Sequence, residues 1–126
     1  MDFVDNIKRN DYKLTQPRLK ILRCLQNNQK PQTPQEIHLS CRKQGIDLVT
    51  VYRTLELFQR IGIVHREEIF RETRYYLDQN EHHHIACRKC LTIKCIPCKM
   101  EFSKIKGFSN IQHFLTLTGI CKQCSS

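Results

Sequence analysis

Residues 81–90 have the sequence EHHHIACRKC, and this stretch concentrates side chains that bind metals. It ends in a Cys-x-x-Cys motif, Cys87 and Cys90, and the same motif recurs at Cys121 and Cys124 after thirty intervening residues. Two such motifs are typical of a closed, tetrahedral zinc site with four thiolate ligands, because the short spacing lets two sulfurs of one turn reach the same ion. Four metal-free core thiols or two disulfides are the alternative. The stretch therefore predicts a structural Zn²⁺ site.

Length and charge limit the fold and the partners. A chain of 126 residues buries one modest core or two small ones, and small cores usually need a metal or a dimer partner. Its 21 Lys and Arg outnumber its 12 Asp and Glu, and the net charge of +9 favours a polyanionic partner. No apolar run of roughly 18 residues and no amino-terminal signal pattern occurs, which predicts a soluble, cytoplasmic protein with no membrane partner. In that reducing compartment the eight cysteines are expected to be metal ligands or buried thiols.

Helix-start signals divide the first half of the chain. A short amphipathic helix is expected over residues 2–10. Thr15 and Thr33, each followed within two positions by proline, are expected to cap the next two helices, and Glu36 stands where a capping box requires a carboxylate. Asp47 is expected to cap a further helix. The first half is therefore predicted to be mainly helical.

The helix after Asp47 carries the candidate DNA-binding residues. Its apolar stripe, formed by Val51, Leu55 and Phe58, is expected to be buried. Four polar side chains near the amino end are expected to lie largely off that stripe: Thr50, Tyr52, Arg53 and Thr54. Such side chains suit a recognition helix, because tyrosine and threonine contact thymine methyls and arginine binds guanine edges or phosphates. An ordinary solvated helix face is the alternative.

Two strand-like segments follow this helix. Residues 63–67 and 73–77 predict a β-hairpin around a polar turn, and three helices followed by a hairpin is the winged-helix order. Arg66, Arg71 and Arg74 are expected to decorate the hairpin and to reach backbone phosphates.

The order of these motifs resembles the ferric uptake regulator family of metal-sensing repressors. The resemblance rests on Leu14-Thr15-x-x-Arg18, Thr33-Pro34-x-Glu36-Ile37, Val49-Thr50-Val51-Tyr52-Arg53-Thr54-Leu55, His82-His83-His84-x-x-Cys87-x-x-Cys90 and Gly119-Ile120-Cys121-x-x-Cys124. It implies an α+β fold: a winged-helix DNA-binding domain over residues 1–77, then a small α/β dimerisation domain over residues 78–126 that holds the Cys₄ zinc site. It also implies a homodimer whose binding to a double-stranded DNA operator is favoured by a regulatory metal.

Alternation along the histidine run would place its side chains on two faces of a strand. If residues 81–87 form that strand, His82 and His84 share one face while Glu81 and His83 share the other. The resemblance implies two metal sites: a regulatory one at His82 and His84 beside the hinge between the domains, and a more interior one at Glu81, His83 and His113, with Glu101 as a further candidate. A solvated histidine-rich strand is the alternative.

Several positions depart from the family pattern. Two positions that supply metal ligands in the family hold Pro31 and Tyr76, which cannot coordinate a metal. Conversely, Cys95 stands where an acidic ligand is usual, and Cys98 completes an extra Cys-x-x-Cys. A site with two imidazoles and a thiolate is softer than a nitrogen and oxygen site, which favours Zn²⁺ over Fe²⁺. We therefore expect a zinc uptake regulator first, an iron-responsive member second and a peroxide sensor third.

The same departures leave two ligand questions open. The extra cysteines could replace either outer pair in the structural site. A bridging ligand from the first half would have to be His65 or His38, for which a solvent-facing histidine is the alternative. In the second half, residues 99–107 are predicted to form a two-turn helix and residues 111–117 a strand of the dimer sheet.

Two other function classes compete with a regulator. A hydrolytic zinc enzyme would need an open coordination position and a general base, such as the glutamate of His-Glu-x-x-His, and the chain has neither that spacing nor that base. A zinc-ribbon adaptor that senses nothing would explain the four cysteines, but not the histidine run or the helix after Asp47. The chain is therefore predicted not to be an enzyme and to have no small organic substrate.

Overall fold

A computed structural model describes residues 3–77, 82–97, 104–109, 111, 113 and 115–125. It divides the chain into two compact units, Met1–Gln79 and Asn80–Ser126. The first unit is mainly helical and ends in a hairpin, and the second is built on a small sheet, so the α+β class is confirmed. None of the helices in these described ranges has the length and hydrophobicity that crossing a bilayer requires.

Four helices form most of the first unit: α1 (Phe3–Arg9), α2 (Gln16–Asn27), α3 (Pro34–Cys41) and α4 (Leu48–Arg60). The last three begin at the predicted caps, whose side chains accept a hydrogen bond from the amide three residues on: Thr15 from Arg18 (3.4 Å), Thr33 from Glu36 (3.1 Å) and Asp47 from Thr50 (2.8 Å). A short 3₁₀ turn, Arg42–Gln44, follows α3, and Gly45 ends it in the left-handed conformation at φ 80°. Local signals therefore set these helix boundaries.

One apolar core holds the four helices together. Its fully buried side chains include one or more from every helix: Ile7, Ile21, Ile37, Val51, Leu55 and Phe58. Burial of an aliphatic or aromatic side chain of this size contributes about 1.5–3 kcal/mol, so this cluster is the main stabilising feature of the first unit.

A β-hairpin completes the first unit. Strands β1 (Val64–Ile69) and β2 (Glu72–Leu77) pair antiparallel, with Ile69 opposite Glu72. Phe70 and Arg71 form the turn with positive φ values of 52° and 67°, the conformation that matches a two-residue hairpin to the twist of its strands. The predicted hairpin is therefore confirmed, and we call it the wing.

Three strands form the sheet of the second unit. The central strand β3 (His82–Cys87) pairs antiparallel with β4 (Ile93–Pro97) and parallel with β5 (Thr116–Gly119). The prediction of a strand over residues 111–117 is wrong at its start. Strand β5 begins at Thr116, opposite His84 of β3, and the described residues 111, 113 and 115 before it are not in a strand.

The helix predicted over residues 99–107 is also wrong in its described part. Residues 104–109 form a turn, in which the Phe108 amide donates to the carbonyl of Ile105 at 3.1 Å. Gly107 has φ 88°, which a continuing helix does not allow. Residues 98–103 lie outside the described residues.

Candidate metal centre and nucleic-acid interface

The four cysteines of the two Cys-x-x-Cys motifs come together at one end of the sheet. The sulfurs of Cys87, Cys90, Cys121 and Cys124 lie within 4.8 Å of one another, and those of Cys90 and Cys121 are 3.7 Å apart. A tetrahedral zinc site with Zn–S bonds of about 2.3 Å places its sulfurs about 3.8 Å apart, because a tetrahedron's edge is about 1.63 times its centre-to-corner distance. The donor set and its spacing therefore fit Zn²⁺.

Strand pairing and two tight turns position these sulfurs. Cys87 ends β3 directly opposite Gly119 at the end of β5, so the two motifs begin side by side. The first motif turns through a hydrogen bond from the Leu91 amide to the Cys87 carbonyl at 2.9 Å. The second turns through one from the Cys124 amide to the Cys121 carbonyl at 3.0 Å. The geometry of the cluster thus follows from the register of β3 and β5.

Backbone amides stabilise the thiolate form of one sulfur, whereas contacts among the sulfurs favour the protonated form of another. The amides of Cys121, Cys90 and Lys89 donate to Cys87 Sγ at 3.4–3.5 Å, and they lower the pKa of this thiol to about 6. The hydrogen bond between Cys124 and Cys121 raises the pKa of Cys124 to about 12, and burial and the neighbouring sulfurs add to the effect. Four thiolates this close repel each other, so full ionisation requires a cation among them. A divalent metal would supply that charge and displace the proton.

The histidine run lies on the central strand β3. His83 and His84 are both buried, so a solvated histidine-rich strand is wrong for these two side chains. His83 lies against His113, with ring centroids 4.8 Å apart. His84 pairs with Cys95 of β4, and cross-strand partners present their side chains on the same face of a sheet. The structure thus brings together two candidate pairs, one with two imidazoles and one with an imidazole and a thiol.

Other candidate ligands are placed only in part. His82 belongs to β3, but its side chain is outside the described residues, as are Glu81, Cys98 and Glu101. Within the first unit, His38 is half-buried on α3, and the ring of His65 of β1 lies tilted against that of Tyr76, with ring centroids 5.5 Å apart. The roles suggested for these residues remain predictions.

Helix α4 presents only part of the predicted DNA-binding set to solvent. Tyr52 and Arg53 are exposed and Thr50 is half-buried, but Thr54 is only 4 % exposed. The expectation that Thr54 lies off the apolar stripe is wrong, because residue 54 follows Val51 by three positions and therefore shares its helix face. Thr54 is thus a core-facing residue at the base of this surface.

Two features near the start of α4 were not predicted from the sequence. Gln35 Nε2 donates to the hydroxyl oxygen of Tyr52 at 3.0 Å, which ties this exposed ring to α3. A cavity of about 230 Å³ lies between the starts of α2 and α4 and is lined by Thr15, Pro17, Arg18, Thr50, Arg53 and Thr54. Two of its lining residues, Arg18 and Arg53, carry guanidinium groups, which favour anions, so the cavity is suited to a phosphate of a nucleic-acid backbone.

Arg74 does not decorate the wing as expected. Its Nη1 donates to both carboxylate oxygens of Glu36 at 3.1 Å and to the Pro31 carbonyl at 3.2 Å, while Nη2 donates to Glu72 at 2.8 Å. These partners hold a side chain that is only 15 % exposed, so the prediction that Arg74 reaches phosphates is wrong. Two wing arginines are exposed: Arg66 and Arg71.

Comparisons with known proteins agree with this arrangement. Residues 9–118 match the ferric uptake regulator family. The chain is 30% identical over 135 residues to the ferric uptake regulation protein of Legionella pneumophila, covering 98% of this chain and 99% of that one. It is 30% identical over 122 residues to the zinc uptake regulation protein of Mycobacterium tuberculosis, covering 89% and 94%.

A solved structure extends the comparison to the fold. The structure of the ferric uptake regulator from Francisella tularensis with iron superposes on the chain with a TM-score of 0.71 and 30% sequence identity. The match covers 91% of this chain and 96% of that one, so the likeness extends over both units.

Proposed function

The chain belongs to the ferric uptake regulator family, and from that membership we propose that it is a zinc-dependent repressor of metal-ion uptake genes. As a member it is a metal-responsive transcription regulator and not an enzyme. We propose residues 1–77 as its winged-helix DNA-binding domain and residues 78–126 as its metal-binding dimerisation domain. It would act in the cytoplasm as a homodimer.

Binding to a double-stranded DNA operator is supported by the surface at the start of α4. Arg53 and Thr50 line the cavity suited to a phosphate, and Tyr52 is exposed on the same helix. Arg66 and Arg71 on the wing and the net charge of +9 add sequence-independent attraction to the phosphates. Thr54 would contribute only by supporting this surface.

Structural zinc is supported by the Cys₄ cluster. The sulfur spacing fits a closed tetrahedral site, which leaves no open position for substrate or water. Cys95 is not a member of this cluster among the described residues, which supports the outer two motifs as the structural site. Structural zinc supplies folding free energy, which a unit this small needs.

Zinc as the regulatory ion is supported by the His84 and Cys95 pair. The β3–β4 register places an imidazole directly opposite a thiol, and His82, two positions away on β3, would add a second imidazole. Thiolate donors favour Zn²⁺ over Fe²⁺, because they are softer than carboxylates. This register is the single observation that carries the choice of metal.

An iron-responsive member is the second candidate. The pairing of the His83 and His113 rings favours it, since imidazoles without a thiolate also suit Fe²⁺. Glu81 would complete this second site with a carboxylate. The relative from Francisella tularensis, whose structure holds iron, is consistent with this alternative.

Homodimerisation is supported by the apolar surface along β5. This strand lies at an edge of the sheet, and exposed apolar side chains accompany it: Leu115, Leu117 and Ile120. An exposed edge strand with apolar neighbours is suited to pairing with another chain.

The decisive experiment measures DNA binding as a function of free metal. The zinc-loaded protein would first be used to select a binding duplex from a random library. Fluorescence anisotropy would then follow binding of the protein to this duplex as buffered Zn²⁺ is added or, in the absence of oxygen, as Fe²⁺ is added. We expect affinity to rise with Zn²⁺ at lower free concentrations than with Fe²⁺. A stronger response to Fe²⁺ would favour the iron-responsive candidate, and no response to either metal would contradict sensing.

Variants then locate the regulatory site. His82→Ala/His84→Ala should abolish the Zn²⁺ response while leaving one tightly held zinc per chain, and Cys95→Ser should weaken it. His65→Ala and His38→Ala test the two candidate bridging ligands of the first unit, and loss of the Zn²⁺ response in one of them would identify the bridge. A full Zn²⁺ response in the double variant would move the regulatory site to Glu81, His83 and His113.

A further inference from the structure

Two cysteines of the first unit take no part in the proposed metal sites. Cys24 lies on α2, and Cys41 is the last residue of α3. The sequence predicts Cys24 as a small apolar residue on its helix face and Cys41 as a packing or surface residue. In the structure their sulfur atoms are only 2.9 Å apart, across the packed faces of the two helices.

The surroundings hold this pair in place. Cys41 is fully buried in the helical core, and Cys24 packs against that core from a partly exposed position. Fully buried side chains on both helices, Ile21 and Ile37 among them, fix the spacing between α2 and α3. A disulfide has an S–S length of about 2.05 Å, so the sulfurs need to approach by only about 0.9 Å. Small side-chain rotations can supply such an approach without repacking the helices.

The two thiols differ in how an oxidant can reach them. Burial, together with the contact to Cys24, raises the pKa of Cys41 to about 12, so this thiol stays protonated and shielded. Cys24 is partly open to solvent. Oxidation requires access to the sulfur, which makes Cys24 the position of first attack and Cys41 the resolving thiol.

We propose that Cys24 and Cys41 are a redox modification site, at which hydrogen peroxide oxidises the two thiols to a reversible disulfide between α2 and α3. The Cys24 sulfur attacks an oxygen of the peroxide: an S–O bond forms, the O–O bond breaks, and the thiol proton leaves in a molecule of water. The Cys41 sulfur then attacks the resulting sulfenic acid: the S–S bond forms, the S–O bond breaks, and the hydroxyl leaves as water with the Cys41 proton. The two thiols lose two electrons and two protons, and hydrogen peroxide becomes two water molecules.

The cross-link would restrain the element that supports the recognition helix. The closed loop includes the start of α3, from which Gln35 donates its hydrogen bond to Tyr52 of α4. A cross-link also limits the unfolded chain, and for a loop of this length we expect the midpoint of thermal unfolding to rise by on the order of 10 °C. Neither consequence depends on the metal sites.

Trypsin makes a direct test possible on the zinc-loaded full-length protein. Cleavage after Arg23 and Arg42 releases residues 24–42 as one peptide, because Lys30 precedes Pro31 and resists cleavage. After graded doses of hydrogen peroxide and denaturation in N-ethylmaleimide, mass spectrometry should find this peptide without alkyl groups and lighter than the dithiol by two hydrogens. Dithiothreitol before alkylation should restore two alkyl groups. A peptide that carries two alkyl groups at the highest peroxide dose would refute the proposal, as would Cys24 linked to any other cysteine.

Two matched variants test the order of the steps. In Cys41→Ser, peroxide should leave Cys24 as a sulfenic acid that dimedone traps. In Cys24→Ser, the buried Cys41 should remain fully alkylatable. Peroxide should raise the unfolding midpoint of the wild-type protein and of neither variant. Oxidation of Cys41 before Cys24 would contradict the mechanism, and the wild-type peptide decides the proposal even if a variant does not fold.

Discussion

Replacing Arg74 by alanine separates a structural role of the wing from a role in DNA binding. Arg74 lies on β2, and its guanidinium joins the wing to the start of α3 through Glu36 and to the preceding loop through the Pro31 carbonyl. Arg66 and Arg71 are exposed on the same hairpin. We therefore expect Arg74→Ala to lower stability, and the other two substitutions to weaken attraction to phosphates.

The contacts of Arg74 set the size of the stability loss. Its two carboxylate partners are 45 % and 58 % exposed, so each pair contributes only about 0.2–1 kcal/mol. The charged hydrogen bond to the Pro31 carbonyl adds about 1.5 kcal/mol, the lower end for such bonds. Arg74 Nε is buried and has no hydrogen-bond partner within the described part of the chain, so removing it offsets part of this loss. The expected decrease in the free energy of unfolding is about 2 kcal/mol.

Two assays distinguish the roles. Urea unfolding should show the decrease for Arg74→Ala, with Arg66→Ala and Arg71→Ala within about 0.5 kcal/mol of wild type. In a plot of the logarithm of DNA affinity against the logarithm of salt concentration, Arg74→Ala should have the wild-type slope. Each phosphate contact that a variant loses should flatten this slope by about 0.9. Arg74→Ala with normal stability and a flatter slope would refute the structural role.

Three further predictions concern α4, its cap and the zinc site. Tyr52→Ala should reduce discrimination between the selected duplex and random DNA by about 1–3 kcal/mol, measured by competition binding, and equal discrimination would exclude a base contact. The pKa of Asp47 is lowered by the side-chain hydrogen bond from Thr50, so its contribution to stability is present at neutral pH and is lost as pH falls through a value below 3.8. The amide shift of Thr50 in an NMR titration should therefore have its midpoint below 3.8, and a midpoint at or above that value would contradict the cap. Cys121→Ser should lose both the structural zinc and the dimer, measured by elemental analysis and sedimentation; normal zinc content in a folded dimer would place Cys95 in that site instead.

Local sequence signals predicted the helices of the first unit well. Thr15, Thr33 and Asp47 act on amides three residues away, so their geometry needs no tertiary information. Capping by Thr33 was therefore predictable, whereas the binding partner of the Glu36 carboxylate was not. A capping box would turn that carboxylate back to Thr33, but Arg74 binds it from a strand 38 residues later.

Long-range packing explains what the sequence did not predict. The contact between Cys24 and Cys41 depends on how α2 and α3 pack, and each cysteine alone matches an apolar helix position. The prediction for Thr54 was wrong because it followed the polarity of the side chain, which suggested exposure. The spacing of Thr54 from Val51 places it on the buried face of the helix. In the second unit, the spacing of the two Cys-x-x-Cys motifs was enough to predict that their sulfurs come together. Each motif is a local turn, and only the alignment of β3 with β5 is needed to bring the two turns side by side.

The position of β3 links the two proposed metal functions. Cys87 ends this strand, and His84 lies three residues before it, between β4 on one side and β5 on the other. A metal at the Cys₄ cluster would fix the end of β3 against the end of β5, and it would thereby hold the strand that carries His84 opposite Cys95 of β4. Loss of the structural zinc should therefore abolish the regulatory response, whereas loss of His84 should leave the structural zinc bound. The regulatory metal can shift DNA binding only by the difference in its affinity for the active and inactive states, so the response also requires a ligand that binds the metal in one state only, for which His65 and His38 are the candidates in the first unit.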